Sequence, residues 1–419
     1  MATDQTFVIV GAGLAGAKAA ETLRSEGFDG RVVLVGEESR RPYERPKLSK
    51  EYLRGEVSAA KLYVHDEGFY AAHRIELMTD TKVRSLDPGA HEITLARGGR
   101  MSYSRLLLTT GAAPRRLPLP GANLPGVAYL RAIGDADDLR AAIAAASRVV
   151  VVGAGWIGSE VAASARQLGA KVAVVAPEPV PLARVLGPEV GGIYRDLHLG
   201  HGVDLHLSTE IEAIVGDKAA RGVRTTDGVV IEGDLVIVGV GATPRVELAE
   251  DAGLRVENGI VVDEFLATSA PDVFAAGDVA ATWNTRYGRR IRMEHWANAL
   301  NQGPVAARNM LGQHTAYERL PYFYSDQYDL GMEYNGHAAE WDHVVVRGDR
   351  TRREFLAFWL KDGRVLAAMN ANIWDQGDDI KALIQSGPRL EPERLADPSV
   401  PLGDLLATAV ASTDEPSQG

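Results

Sequence analysis

The chain has 419 residues, 46% of them hydrophobic and 24% charged, with 44 glycines; that is enough for two or three globular domains with many tight turns. Its 45 basic and 56 acidic residues leave a net charge of −11, which argues against a general nucleic-acid or anionic-membrane surface. It has no cysteine, which excludes disulfides, thiolate metal sites, thiolate-ligated iron–sulfur clusters and a dithiol redox centre; no metal is expected.

The opening "MATDQTFVIVG" lacks a basic region and a cleavage site and runs straight into a strand. No stretch approaches ~18 uninterrupted apolar residues. The most apolar, residues 141–157, is broken by Ser147 and Arg148. These features read as a cytoplasmic protein with no membrane partner.

The first unit is predicted as strand Phe7–Val10, a glycine turn, helix Leu14–Ser25 and strand Arg31–Val35, closing on Gly36-Glu37-Glu38. "RRPYERPKLSK" (40–50) is too rich in proline and charge for a strand and reads as a functional loop before a helix. "SRLLLTTGAAPRRLPLPG" (104–121) is a buried strand stopped by Gly and Pro, so a domain crossing is expected over 113–130. A second glycine unit opens near 148 and runs to "DLVIVGVGATPR" (234–245), which repeats the strand and Gly-Ala-x-Pro-Arg of 105–115. "TSAPDVFAAGDVAAT" (268–282) is another apolar strand ending in Gly-Asp. "REFLAFWLKDGRVLAAMNAN" reads as two strands about Asp362-Gly363. The closing "STDEPSQG" reads as disordered.

Each GxGxxG follows a strand and opens a helix. The first Gly makes the turn, the second admits a pyrophosphate to the backbone, and the third lets the helix pack on the strand. The helix N-terminus then offers its N–H groups to the phosphates. Gly11, Gly13 and Gly16 form one set, and Gly153, Gly155 and Gly158 the other. Glu37 lies about 20 residues past Gly16, where a carboxylate accepts the ribose hydroxyls. In the second unit the strand is expected to end at Ala176-Pro177, and the nearest acid is Glu178, two positions late. Arg184 is too far along for a 2′-phosphate ligand, so NADH is favoured and NADPH stays open. Two dinucleotides and no cysteine suggest a flavin facing a nicotinamide, since both bring hydride chemistry with them.

The sequence resembles the FAD-dependent NAD(P)H:ferredoxin reductases of bacterial oxygenase systems, the putidaredoxin reductase and biphenyl dioxygenase reductase type. Apoptosis-inducing factor is a more distant similarity. The resemblance rests on "GAGLAG" (11–16), "ERPKLSK" (44–50), "LLLTTGAAPR" (106–115), "GAGWIGSE" (153–160), "PDVFAAGDV" (271–279), "EHWANALNQG" (294–303) and "SDQYD" (325–329). It implies a glutathione-reductase-like α/β fold: two Rossmann-type dinucleotide-binding domains and a C-terminal α+β domain. The implied segments are 1–112 and 241–319 for FAD, 113–240 for NAD(P)H and 320–419 for a C-terminal interface domain.

The family pattern puts Leu14 and Ala15 at the FAD pyrophosphate, Glu37 at the adenosine ribose, and the Val83 backbone on the adenine side. It lines the ribityl chain and isoalloxazine with Lys50, Arg131, Asp278 and Trp296. Arg45, Thr110, Gly241, Gly277, Glu294 and His295 join the cofactor set through the same motifs. Ile157 and Glu160 join it through the second glycine loop, and Tyr324 through the C-terminal domain. Lys50 and Glu160 are implied as a catalytic pair near the flavin. The chain departs from the pattern at Tyr324, where Trp is usual, and at Lys47, where Pro is usual.

The implied activity passes electrons from NADH through FAD to a two-iron two-sulfur ferredoxin, which feeds a haem or non-haem oxygenase. A quinone or oxygen reductase, or a flavin redox sensor, stays open. A disulfide reductase or a cysteine-based peroxidase is ruled out by the missing cysteine. An acidic ferredoxin would need a local basic patch. Arg289, Arg290, Arg292 and Arg308, with Arg40, Arg41 and Lys47, are the candidates.

Overall fold

The computed structural model describes residues 4–411, with side-chain surroundings given through residue 406. The tail expected to be disordered, 412–419, lies outside the described residues. The chain forms two compact units. One comprises Met1–Lys47, Val57–Pro114 and Ala242–Arg319; the other comprises Leu48–Glu56, Arg115–Gly241 and Leu320–Gly419.

The first unit is built on five parallel strands. Their spatial order is Val273–Ala275, Arg105–Leu108, Thr6–Val10, Arg31–Val35 and Ile75–Met78. The strands are runs of Val, Ile and Leu because both faces are covered. Val8, Ile9, Val32, Val33, Leu34, Leu106, Leu107 and Leu108 are all buried. Strand order reverses between Thr6–Val10 and Arg105–Leu108, and this switch point leaves a crevice at the carboxyl ends of the strands. Helix Leu14–Ser25 starts there. It packs closely on helix Trp296–Met310: a Cβ on Gly303 would stand 2.3 Å from the Ala15 carbonyl. The two Gly-Ala-x-Pro-Arg repeats pair with each other, Ala112–Pro114 running antiparallel to Ala242–Pro244.

The second unit repeats four of these places: Asp204–His206, Val172–Val175, Val149–Val152 and Leu235–Val238 stand where the first has Ile75–Met78, Arg31–Val35, Thr6–Val10 and Arg105–Leu108, while its fifth strand, Val127–Ala128, comes before the others in the chain; all are parallel. Helix Trp156–Gln167 starts at its switch point. A five-stranded antiparallel sheet follows, in the order Tyr322–Gln327, Leu330–Gly336, Arg364–Ala371, Glu354–Lys361 and His343–Asp349. Asp362 and Gly363 turn its expected hairpin with φ of 49° and 73°, the two left-handed residues that match strand twist. Helix Ala183–Gly200 breaks at Gly187, φ 76°, ahead of Pro188. The Leu186 carbonyl at the break accepts from Trp359 Nε1 at 3.2 Å. Leu182, Leu186, Val190, Tyr194 and Leu197 share a core with Phe323, Met332, Phe355, Trp359 and Met369. The nucleotide-type sheet and the C-terminal sheet therefore belong to one unit.

Residues 48–56, expected with the first FAD segment, belong to this second unit. The reason is Leu53, fully buried in the core formed by Leu139, Ile143, Val149, Val161 and Ile237. No helix directly follows the 40–50 loop: the loop itself ends in a 3-10 turn, Pro46–Ser49, and turns continue after it. Pro42 and Pro46 bracket a charged stretch that instead makes the isolated bridge Tyr43↔Tyr63.

Candidate functional site

The two glycine loops have the same geometry. A Cβ on Gly11 would stand 2.1 Å from the Thr109 carbonyl, and one on Gly16 would stand 2.2 Å from the Gly11 carbonyl. In the second loop the matching distances are 2.5 Å from Gly153 to the Gly239 carbonyl and 2.1 Å from Gly158 to the Gly153 carbonyl. Gly11 and Gly153 also adopt φ of 118° and 101°, which side chains rarely tolerate. The middle glycines, Gly13 and Gly155, meet nothing within 4 Å. Each is the N-cap of its helix, with no capping side chain on the first turn's N–H groups. Closed outer glycines, an open middle one and uncapped N–H groups fit a pyrophosphate at both loops.

At the end of strand Arg31–Val35, Glu37 receives Lys82 Nζ at 3.1 Å and Arg245 Nη1 at 2.7 Å. Burial works to raise its pKa, but these hydrogen bonds prevail and hold it below the usual carboxylate range. Val83 follows Lys82 at the start of strand Val83–Asp87. Beside Glu37, Glu38 accepts from Tyr43 and from Arg45, both at 2.5 Å. Thr110 Oγ1 donates to the Arg245 carbonyl at 2.7 Å, which sets that arginine's backbone.

Gly277 and Asp278 form the 3-10 turn Gly277–Val279, after strand Val273–Ala275. The Gly277 N–H donates to Gln302 Oε1 at 2.8 Å. Trp296 is the first residue of helix Trp296–Met310, His295 its N-cap, and both are half-buried. Glu294 is paired with Arg292 at 2.6 Å.

In the second unit the strand ends at Val175, one residue earlier than expected. Val10↔Val35 and Val152↔Val175 are equivalent pairings, so Pro177 occupies the place of Glu37. Glu178 is one position late rather than two, and stands where the first unit has Glu38. Arg184, exposed, pairs with Glu178 at 2.7 Å. The two residues weighed against each other for the ribose are thus partners. Ile157 is exposed beside Gly155 in the first turn of its helix. Arg131 donates its N–H to Asp135 at 2.9 Å, ahead of helix Ile133–Ala145. Gly241, φ 105°, gives its carbonyl to the Arg115 N–H at 2.9 Å.

Lys50 and Glu160 meet inside the second unit, with side chains only 3% and 6% exposed and Nζ 3.5 Å from Oε1. Glu160 also accepts from Ser325 Oγ at 2.7 Å and from Ser49 Oγ. Lys50 Nζ lies 5.0 Å from the centre of the Tyr324 ring, within cation–π range. Ser49 and Ser325 are the residues that sequence reasoning missed. A signal was present: in strand Tyr322–Gln327, Phe323, Ser325 and Gln327 alternate on the buried register, so a serine there needs a polar partner.

The expected basic patch divides. Arg292 and Arg308 are engaged by Glu294 and Glu26. Arg289 and Arg40 are exposed, and Arg290 reaches the Val262 carbonyl at 2.5 Å. Arg41 stacks its guanidinium over Tyr63 at 3.6 Å.

Residues 5–303 match the pyridine nucleotide-disulphide oxidoreductase family, and residues 322–406 match the reductase C-terminal family. The chain is 40% identical over 403 residues to the 5,5'-dehydrodivanillate O-demethylase ferredoxin reductase subunit of Sphingobium sp., covering 96% of this chain and 98% of that one. It is 40% identical over 401 residues to the ferredoxin–NAD(+) reductase component of the anthranilate 1,2-dioxygenase system of Burkholderia cepacia, covering 96% and 99%. Its fold matches the reductase in a crystal structure of the covalent putidaredoxin reductase–putidaredoxin complex, with TM-score 0.93, 36% identity, and coverage of 98% of this chain and 100% of that one. The family implies FAD and a nicotinamide nucleotide, which the two glycine loops fit. Among the described residues, no helix is long and apolar enough to cross a membrane. With a full-length match in sequence, fold and loop geometry, this chain belongs to the pyridine nucleotide-disulphide oxidoreductases, as an enzyme of their ferredoxin reductase branch.

Proposed function

We propose that this protein takes electrons from NADH and delivers them through FAD to a two-iron two-sulfur ferredoxin serving an oxygenase. The observation that carries this reading is the pair of equivalent glycine loops at two switch points, in a chain whose relatives are named as ferredoxin reductases. When bound, FAD supplies the conversion, since it accepts a hydride and releases electrons singly. The protein's own part is placement. Gly11, Gly13, Ala15 and Gly16 hold the FAD pyrophosphate, Glu37 holds its ribose, and Asp278, Trp296 and Arg131 serve its other end. Gly153, Gly155, Ile157 and Gly158 hold the nicotinamide nucleotide, with Glu178 as ribose acceptor. Lys50 and Glu160 act as the charged pair of the hydride step. The segments proposed for these tasks are 1–112 with 241–319 for FAD, apart from residues 48–56 of the second unit, 113–240 for the nicotinamide nucleotide and 320–419 as an interface domain. The cytoplasmic setting belongs to the same proposal.

The relatives' names support both the acceptor and the NAD donor, and the two equivalent glycine loops support two dinucleotides. Exposed Arg289 and Arg40 are the basic residues proposed to meet an acidic ferredoxin. The test is cytochrome c reduction by NADH with the FAD-loaded protein, with and without a two-iron ferredoxin. Steady turnover that needs the ferredoxin and declines with added salt is expected, because charge steering is screened. Equal rates without ferredoxin, together with fast quinone reduction, would overturn the reading in favour of a quinone reductase.

A further inference from the structure

Glu160 sits on a helix whose next residues, Val161, Ala162, Ala163 and Ala165, are buried and apolar. A carboxylate there needs donors close at hand. Three reach it, and they are unequal. Ser325 Oγ donates to Oε1 at 2.7 Å, and Ser49 Oγ donates to Oε2. Lys50 Nζ stays 3.5 Å from Oε1, beyond the ~2.7–2.9 Å of a close ammonium–carboxylate bond. The hydroxyls grip both oxygens, while the ammonium stays near the Tyr324 ring.

The backbone behind each hydroxyl is itself held. Ser164, one turn along the same helix, donates to the Ser49 carbonyl at 2.7 Å, and Arg54 Nη1 donates to Ser164 Oγ at 3.3 Å. Ser325 is fixed in the sheet by its register with Met332. The carboxylate cannot turn toward Lys50 without giving up a short bond.

We propose that Ser49 and Ser325 are positioning residues that lock the Glu160 carboxylate and so keep the Lys50 ammonium from collapsing onto it. This rests on the reading that Lys50 and Glu160 serve the hydride step. The serines act through Glu160 alone.

The test uses the FAD-loaded protein as wild type, S49A, S325A, S49A/S325A, S325T, E160Q and E160Q/S325A. Stopped-flow reduction by NADH gives the rate. Crystal structures of wild type and S49A/S325A give the Lys50–Glu160 distance, a readout independent of turnover. Each Ser→Ala change is expected to slow reduction about 10-fold, the scale of one lost hydrogen bond to a charged group, with KM for NADH and FAD content little changed. S325T should restore the rate, and S325A should add nothing in the E160Q background. The distance should close below about 3 Å in the double variant. Should S325A lose its FAD, S49A carries the test alone. Wild-type rates in the serine variants beside a slow E160Q would overturn this proposal and leave the role of Glu160 standing. A further slowing by S325A on top of E160Q, or an unchanged distance, also overturns it. An E160Q at the wild-type rate would instead overturn the role of Glu160, and the serines' part with it.

Discussion

Helices Leu14–Ser25 and Trp156–Gln167 begin with the same loop and lie on sheets that share the order of four strands, yet they use equivalent positions for opposite purposes. Two residues after the third glycine, the first has Lys18, which pairs with Glu21 one turn along its own surface. The second has Glu160, buried and gripped by serines from two other segments. Four residues later, Thr22 bonds back to the Lys18 carbonyl at 2.7 Å, while Ser164 reaches out to the Ser49 carbonyl at 2.7 Å. The strand ends differ in the same way. Glu37 is held between two cations from other segments, and its equivalent is Pro177. Backbone geometry was kept in the two copies because a glycine turn has few alternatives. Side-chain chemistry diverged because each helix meets different neighbours.

The strongest way to break that comparison is to close one loop at a time. Alanine at Gly158 or Gly16 puts a Cβ within 2.1 or 2.2 Å of a backbone carbonyl, and backbone has no room to yield. With overpacking at about 1–3 kcal/mol or more, G158A should lose ~100-fold in NADH affinity and keep FAD. G16A should purify largely without FAD. Calorimetry and flavin absorbance read the two losses; a G158A protein that lost FAD instead would reverse the assignment of the loops.

Next in size is the contrast between Lys18 and the Glu160 pair. Lys50→Ala should slow flavin reduction by about 2–4 kcal/mol, the scale of one lost electrostatic partner in a closed site. Lys18→Ala should leave the reduction rate within about 1 kcal/mol of wild type, since its half-buried pair with Glu21 plays no part in the hydride step and Glu21 keeps His65 as a second partner. Stopped-flow rates decide it, and an unchanged Lys50→Ala rate removes Lys50 from the hydride step.

Acid should weaken the second unit through His198. Its ring is buried and bonded through Nε2 to Gln327 at 2.9 Å. Burial pushes its pKa down to about 4, Gln327 works upward, and His201 adds to the fall. Between about pH 6.5 and 4 the unfolded chain binds a proton that the folded one refuses. Stability therefore falls as pH drops through that window, by roughly 3 kcal/mol in all. His198→Leu should flatten this slope in thermal unfolding, even if it lowers the plateau; an unaltered slope assigns it elsewhere.

The smallest expected effect tests the strand end. Glu178→Ala should weaken NADH binding by about 1 kcal/mol and narrow the gap to NADPH. A wild type preferring NADPH tenfold or more in kcat/KM would make Arg184, now paired with Glu178, the nucleotide ligand instead.

Much of this was legible in the chain itself. Two glycine loops between buried strands and helices dictated two parallel sheets, because the spacing of tight turn, open middle and close packing tolerates little else. The place of Glu37 at the strand end was readable from its distance to Gly16, and the Asp362-Gly363 hairpin from its turn chemistry. The allegiance of residues 48–56 was not readable, because it depends on one leucine finding a core assembled from residues over 80 positions away. Nor were Ser49 and Ser325 as partners of Glu160, or Arg184 as the partner of Glu178. Local sequence fixes backbone conformation, where sterics act over a few residues. Which side chains share a buried charge is decided only when distant segments pack, since a hydrogen bond exists only at contact distance.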